Sequence, residues 1–170
     1  RRARRLRAAG GESMIGELCR ALVRSGRGEV TEARCLEFLR GFQSVTALRR
    51  AELYLFPAAL RAALIHSVAA VCRAMEFADG SDEYAPAPEA LFGALRLFAV
   101  LDLENLLDSA DMTAEALRAD PDGVFQRMDS ASRGEYLRRI EYLSRREGVG
   151  EHIYARRLVK KARAEGRHAG

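Results

Sequence analysis

Apolar residues along this chain recur at steps of three and four, the spacing of one helix face, and not at the steps of two that a half-buried strand requires. Between Glu12 and Arg24 the apolar positions are Met14, Ile15, Leu18, Cys19, Leu22 and Val23, and Ser25-Gly26-Arg27-Gly28 stops the pattern. Thr31 is the expected N-cap of a second helix, with Arg34 standing where a capping-box Glu would be. Cys35, Leu36, Phe38, Leu39 and Phe42 form its stripe, and the short Gln43-Ser44-Val45 link predicts that it packs beside the next helix. Thr46 is expected to cap a long core helix reaching about Phe77, with Leu48, Leu53, Leu55, Phe56, Leu60, Leu64, Ile65, Val68, Val71, Cys72 and Met75 as its apolar set. Pro57 falls inside it. A proline lacks the N–H and collides with the preceding turn, so a kink or break is expected near Tyr54 to Phe56.

Asp79 to Pro88 is rich in acids and turn residues and reads as a linker between two halves. Pro88 suits a first helical position and opens a helix through Leu91, Phe92, Leu95, Leu97, Phe98 and Leu101. Asp102 then caps Leu103 to Leu107. Short helices follow over Thr113 to Ala119 and Val124 to Met128, separated by the turn Asp120-Pro121-Asp122-Gly123. Ser130 is expected to cap a helix running to Glu147 and closed by Gly148. The last helix, Glu151 to Ala164, should turn Ile153, Leu158 and Val159 inward and its basic residues outward. The whole pattern predicts an all-α protein, an irregular bundle of about seven to eight helices around a long proline-kinked core helix.

Composition agrees with that class. Of 170 residues, 48% are apolar, enough to bury a core, while aromatics are 7% with no Trp, which favours helices over sheets. The expected layout is a basic disordered arm over 1–10, a helical half over 11–78, the acidic linker over 79–88, a second helical half over 89–165 and a disordered tail over 166–170. The longest apolar stretch, Leu53 to Cys72, contains Arg61 and His66 and reads as a buried helix rather than a bilayer span. Neither a signal peptide nor a membrane anchor is read from the chain, which is taken as itself soluble. Because it starts at Arg1 rather than Met and stops at Gly170, it reads as a piece of a longer product.

Charge changes the picture only at the ends. The net charge is +4, yet the first ten residues carry five arginines and the stretch from Arg156 to the end is again +5, so the body is mildly acidic. Arg156, Arg157, Lys160, Lys161 and Arg163 form a basic face on the last helix that could meet nucleic acid or anionic lipid. A solvated face is favoured, because no aromatics interleave for base stacking and Glu151 and Glu165 dilute it. Nucleic acid is disfavoured as a partner.

Catalytic chemistry is not assembled by any spacing in the chain. Cys19, Cys35 and Cys72 are odd in number and lie in helical patterns, which predicts reduced core thiols rather than disulfides. His66 lies within the long core helix, His152 starts the last helix and His168 falls in the tail, so each is expected to have a structural or solvent role rather than to share a metal site. Asp120-Pro121-Asp122-Gly123 resembles the opening of a calcium loop but lacks the later acids. It is expected to be a turn in which Asp120 and Asp122 accept backbone N–H bonds and Gly123 is left-handed. Asp79, Asp82 and Glu83 lie in a linker with no apolar pocket to raise a pKa. No glycine-rich phosphate loop or nucleophile turn occurs, and no catalytic, cofactor-binding or metal-binding residue is assigned.

Three stretches resemble the helical, non-catalytic N-terminal region of bacterial cyclic β-1,2-glucan synthases. Thr46-Ala47-Leu48 through Glu52-Leu53-Tyr54 to Pro57, then Leu60-Arg61 and Leu64-Ile65, is similar to a threonine-to-isoleucine pattern in that family, with Tyr54 in place of its Trp. Leu95-Arg96-Leu97-Phe98-Ala99-Val100-Leu101-Asp102 is the second stretch, and Leu103 replaces a Trp after it. The most specific is Leu117-Arg118-Ala119-Asp120-Pro121-Asp122-Gly123-Val124-Phe125-Gln126-Arg127-Met128-Asp129, then Ser132-Arg133 and Tyr136. It departs at Ser130, Gly134 and Leu137, where the family has an aromatic, an acid and a basic residue.

The resemblance implies a segment of a large membrane-associated glycosyltransferase, held on the cytoplasmic side of the bacterial inner membrane. Glucosyl transfer from UDP-glucose would be carried out by other parts of that protein, and the partners of this segment would be those remaining domains. Its basic ends are the candidates for contact with an anionic membrane surface. The alternative is a free-standing helical protein-interaction module from a truncated or diverged gene.

Overall fold

The computed structural model describes residues 14–76 and 87–165. Its elements are α1 (Met14–Ser25), α2 (Glu32–Val45), α3 (Arg50–Leu53), α4 (Phe56–Glu76) and α5 (Pro88–Val100), followed by α6 (Leu103–Ala110), α7 (Met112–Arg118), α8 (Val124–Arg127), α9 (Ser130–Glu147) and α10 (Glu151–Glu165). Among the described residues there is no strand, and α3 with α4 forms one long bent helix, as the periodicity predicts. The basic arm over 1–10, most of the 79–88 linker and the tail over 166–170 lie outside the described residues.

The bend sits where it was expected, at Tyr54-Leu55. Pro57 is the second residue of α4, inside the first turn, where a missing N–H breaks no helical bond. The proline therefore opens the second limb rather than breaking a continuous helix. The first limb starts differently from expectation. Thr46 does not cap it; α2 continues through Gln43-Ser44-Val45, and Thr46 ends that helix by donating its N–H to the Phe42 carbonyl at 3.0 Å. The limb begins at Arg50, with the Arg49 N–H donating to Glu52 Oε2 at 2.9 Å. At α2 the sequence reading holds, since Thr31 Oγ1 accepts from the Arg34 N–H.

Two cores result. In the first, α1 lies along α4 and α4 along α5, while α2 packs chiefly on α6 rather than on the helix that follows it. Leu22, Val23, Leu39, Leu53, Phe56, Leu60, Leu64, Leu91 and Leu106 are all 1% exposed or less. Full burial of each such leucine or phenylalanine side chain is worth roughly 1.5–3 kcal/mol. In the second core α10 packs on α7 and α9, with Ala114, Leu117, Phe125, Leu137, Ile140, Ala155 and Val159 inside. Helices on both sides of residues 79–88 share the first core, so the change of core falls at Asp111.

Small shifts of phase and boundary follow from capping. Asp129 rather than Ser130 caps α9, its Oδ1 accepting from the Ser132 N–H at 2.9 Å. Asp111 caps α7, which therefore starts at Met112 instead of Thr113. Gly148 ends α9 in the left-handed region (φ 68°), as expected. On α10, Val159 is buried and Leu158 half-buried, but Ile153 faces outward, and Ala155 and Ala162 complete the buried stripe. Small residues fill that seam because α10 lies close against α7.

The long helix departs most from its expected burial. Phe56, Leu60 and Leu64 are fully inside, but no described residue from Ile65 to Met75 is, and Cys72 is exposed. Only 22% of the most apolar window in Arg50–Met75 is buried. α1 and α5 pack along α4, and beyond Leu64 only Val68 and Val71 among its larger apolar side chains stay half-buried against the first core.

Candidate functional site

The polar groups that converge most closely lie at the seam between the two cores, around Arg50. Its Nε donates to Asp111 Oδ2 at 2.7 Å, and its terminal nitrogen donates to the Tyr54 hydroxyl at 2.8 Å. Its backbone N–H donates to Glu151 Oε2 at 3.1 Å. One residue thus ties the start of the bent helix to the α6–α7 corner and to the first residue of α10. Spacing places each member: Tyr54 follows Arg50 by one helical turn, so the guanidinium also stacks over its ring at 4.8 Å.

Asp111 is 3% exposed and uses both oxygens. Oδ2 meets Arg50, while Oδ1 accepts from the Thr113 and Ala114 N–H groups. Beside it, buried Gln43 donates to the Ala110 carbonyl at 2.8 Å, which fixes the end of α6 against α2. Burial works against the charged Arg50 guanidinium, and the Asp111 carboxylate with the Tyr54 hydroxyl more than offsets it, so the Arg50 pKa is raised. Glu151 is also raised, chiefly by burial; the Arg50 N–H opposes that rise, and Glu141 and Asp111 add to it.

Two shallow grooves flank this hub. One, of about 310 Å³, runs between the α2–α3 link and the α9–α10 turn and is lined by Arg49, Ser144, Arg145, Glu151 and His152. Burial and then Arg156 push the His152 imidazole down, so its neutral form is favoured. The other, of about 360 Å³, is lined by Arg50, Tyr54, Asp102, Asp108, Ser130 and Arg133. Asp108 there pairs with Arg118, and Asp102 is spent as the cap of α6, accepting from the Asn105 N–H. Both acids are therefore engaged in holding helices in place.

The Asp120 to Tyr136 stretch forms a corner that leads from α7 into α9. Gly123 is left-handed (φ 60°), and its N–H donates to the Asp120 carbonyl at 3.0 Å. Phe125 is buried, with the Tyr136 ring tilted against it at 6.1 Å and the Arg133 guanidinium over its face at 5.5 Å. The expected side-chain bond of Asp120 is not formed: its Oδ1 is buried without a hydrogen-bond partner, and the turn is closed by backbone bonds instead. Burial, with Asp120 and Tyr154 adding to it, raises the Tyr136 phenol.

The remaining residues singled out by sequence stay apart. His66 is exposed on α4, and His168 lies outside the described residues, as do Asp79, Asp82 and Glu83. Cys19 and Cys35 are buried, and burial pushes their thiols up to about 12 and about 11. No three His, Cys, Asp or Glu side chains come together as metal ligands among the described residues. On the basic face of α10, Arg157 pairs with Glu147 and Lys161 with Glu165, while Arg163 donates to the Ala119 carbonyl at 2.7 Å. Part of that charge therefore holds α10 to its neighbours.

No family model, curated protein or solved structure matches this chain. The Arg50 hub was missed by sequence reading, although Asp111 stands directly before an apolar helical run, where an N-cap belongs.

Proposed function

We propose that this chain is a non-catalytic helical segment of a membrane-associated cyclic β-1,2-glucan synthase, serving to pack and position parts of that protein that transfer glucose. The observation that carries the reading is the Asp120 to Tyr136 stretch, whose residues most similar to the family have architectural work. Gly123 makes the turn, Phe125 fills the second core, Asp129 caps α9, and Arg133 and Tyr136 pack on the Phe125 ring. A pattern of that kind specifies a corner between helices rather than a reacting group.

Its test is the reading frame beyond Gly170, followed by an in-frame deletion. Downstream membrane spans and a glycosyltransferase sequence are expected, and membranes of a strain lacking residues 87–165 should lose or misdirect glucosyl transfer from UDP-glucose. A stop codon with no such sequence after it would overturn the reading and leave the free-standing interaction module. That second reading is favoured by one observation of its own, the apolar side chains left exposed along α4 and α5.

A further inference from the structure

Two buried acids share one arginine at the seam. Asp111 and Glu151 are 3% and 7% exposed, and both accept from Arg50. Asp111 and the Tyr54 hydroxyl take the guanidinium, which leaves Glu151 the backbone N–H alone. Glu151 makes no ion pair among the described residues. The charged and titratable groups around it come from every neighbouring element: Arg49 and Arg50 at the start of α3, Asp111 at the α6–α7 corner, Glu141 and Arg145 on α9, and His152 on α10. None supplies a counter-charge. Arg145 is paired with Glu141, the neutral form of His152 is favoured, and Arg49 lines the groove without pairing with Glu151. A carboxylate buried with one neutral donor is costly, and a proton on it removes most of that cost.

We propose that this contact is a pH-sensitive joint: with Glu151 protonated the first turn of α10 stays docked on the start of α3, and ionisation of Glu151 shifts it toward release. Burial raises the Glu151 pKa in the docked state, whereas a released Glu151 meets water and titrates near the ordinary value of about 4.3. Between those two values the released fraction rises by up to about tenfold per pH unit, and above the higher one it levels off. Glu151 lines the groove of about 310 Å³, so its proton exchanges with solvent without unfolding. The link that carries the movement is short, Gly148-Val149-Gly150, with glycine at both ends and Gly148 left-handed. Asp111 keeps its hold on Arg50 in either state, so α3 stays in place while the start of α10 moves. The joint is a property of this chain and does not rest on the synthase reading.

Amide exchange of the full chain, followed by NMR across the acidic to neutral range and corrected for the intrinsic rate, reads the joint at the Arg50 N–H, whose acceptor is Glu151 itself. Protection at Arg50 should fall severalfold as the pH rises and then level off where the Glu151 carboxyl carbon completes its titration in the same sample. Leu53 and Tyr54, whose N–H groups donate to the Arg49 and Arg50 carbonyls within α3, should keep theirs. Glu151→Gln should hold Arg50 protection constant with pH, and His152→Asn should leave the fall in place. If Glu151→Gln does not fold, the matched carbon titration and exchange of the native chain decide. The proposal is overturned by Arg50 protection that is flat with pH, that levels off away from the Glu151 titration, or that falls on acidification, as charging of His152 would cause. It is equally overturned if the native and Glu151→Gln chains change alike.

Discussion

Glu151 and Gly26 show how much a single position can carry here. Burial raises the Glu151 pKa, so folding favours its protonated form; its contribution is most favourable at low pH and is lost as the pH rises through the raised value. Glu151→Gln keeps an oxygen to accept the Arg50 N–H and carries no charge. It should raise the melting temperature at pH 7, with the gap to the native chain closing as the pH falls below the ordinary glutamate range of about 4.3. Gly26 acts through space. A Cβ there would sit 2.4 Å from the Glu29 carbonyl oxygen, a backbone atom that cannot swing aside. Gly26→Ala should therefore cost about 1–3 kcal/mol in urea unfolding, although Gly26-Arg27-Gly28 reads in sequence as mere punctuation.

At the scale of elements, the phase of α4 gives a sharp contrast between neighbours. Leu64 is fully buried and Leu64→Ala should cost about 2–5 kcal/mol, whereas Ile65→Ala should stay within about 0.5 kcal/mol. Equal losses in denaturant melts would mean the helix is rotated from the phase described. Most elements were legible because caps and breakers are local: Thr31, Asp102, Gly123 and Gly148 each act on their own turn, whatever lies elsewhere. Burial beyond Leu64 was not legible. Its apolar content matches that of the buried turns, and whether α1 and α5 extend far enough to cover it is a property of the fold. Ile153 was misplaced for a related reason, since alanines took the close seam against α7.

At the scale of the molecule, Arg50 ties the two cores together through partners that sequence spacing does not reveal. Arg50 and Asp111 are 61 residues apart and Arg50 and Glu151 are 101 apart. Asp111→Ala removes the cap of α7 and leaves a largely buried guanidinium unpaired, so a loss of about 3–5 kcal/mol is expected. The loss should split the unfolding curve, with the second core melting first while α1 to α6 hold. A single sharp transition in the variant, followed by circular dichroism and by tyrosine fluorescence together, would mean the cores are coupled by something other than this hub.

The Arg50 seam also bears on how such a chain can diverge. Within each core, a leucine lost on one helix can be compensated by a larger side chain on its neighbour, so the two interiors are free to drift separately. Arg50 has no such freedom: a lysine offers a point charge without the fork that reaches Asp111 and Tyr54 together. Descendants of this sequence should keep the arginine and the aspartate as a pair or replace both at once, while the leucines around them turn over.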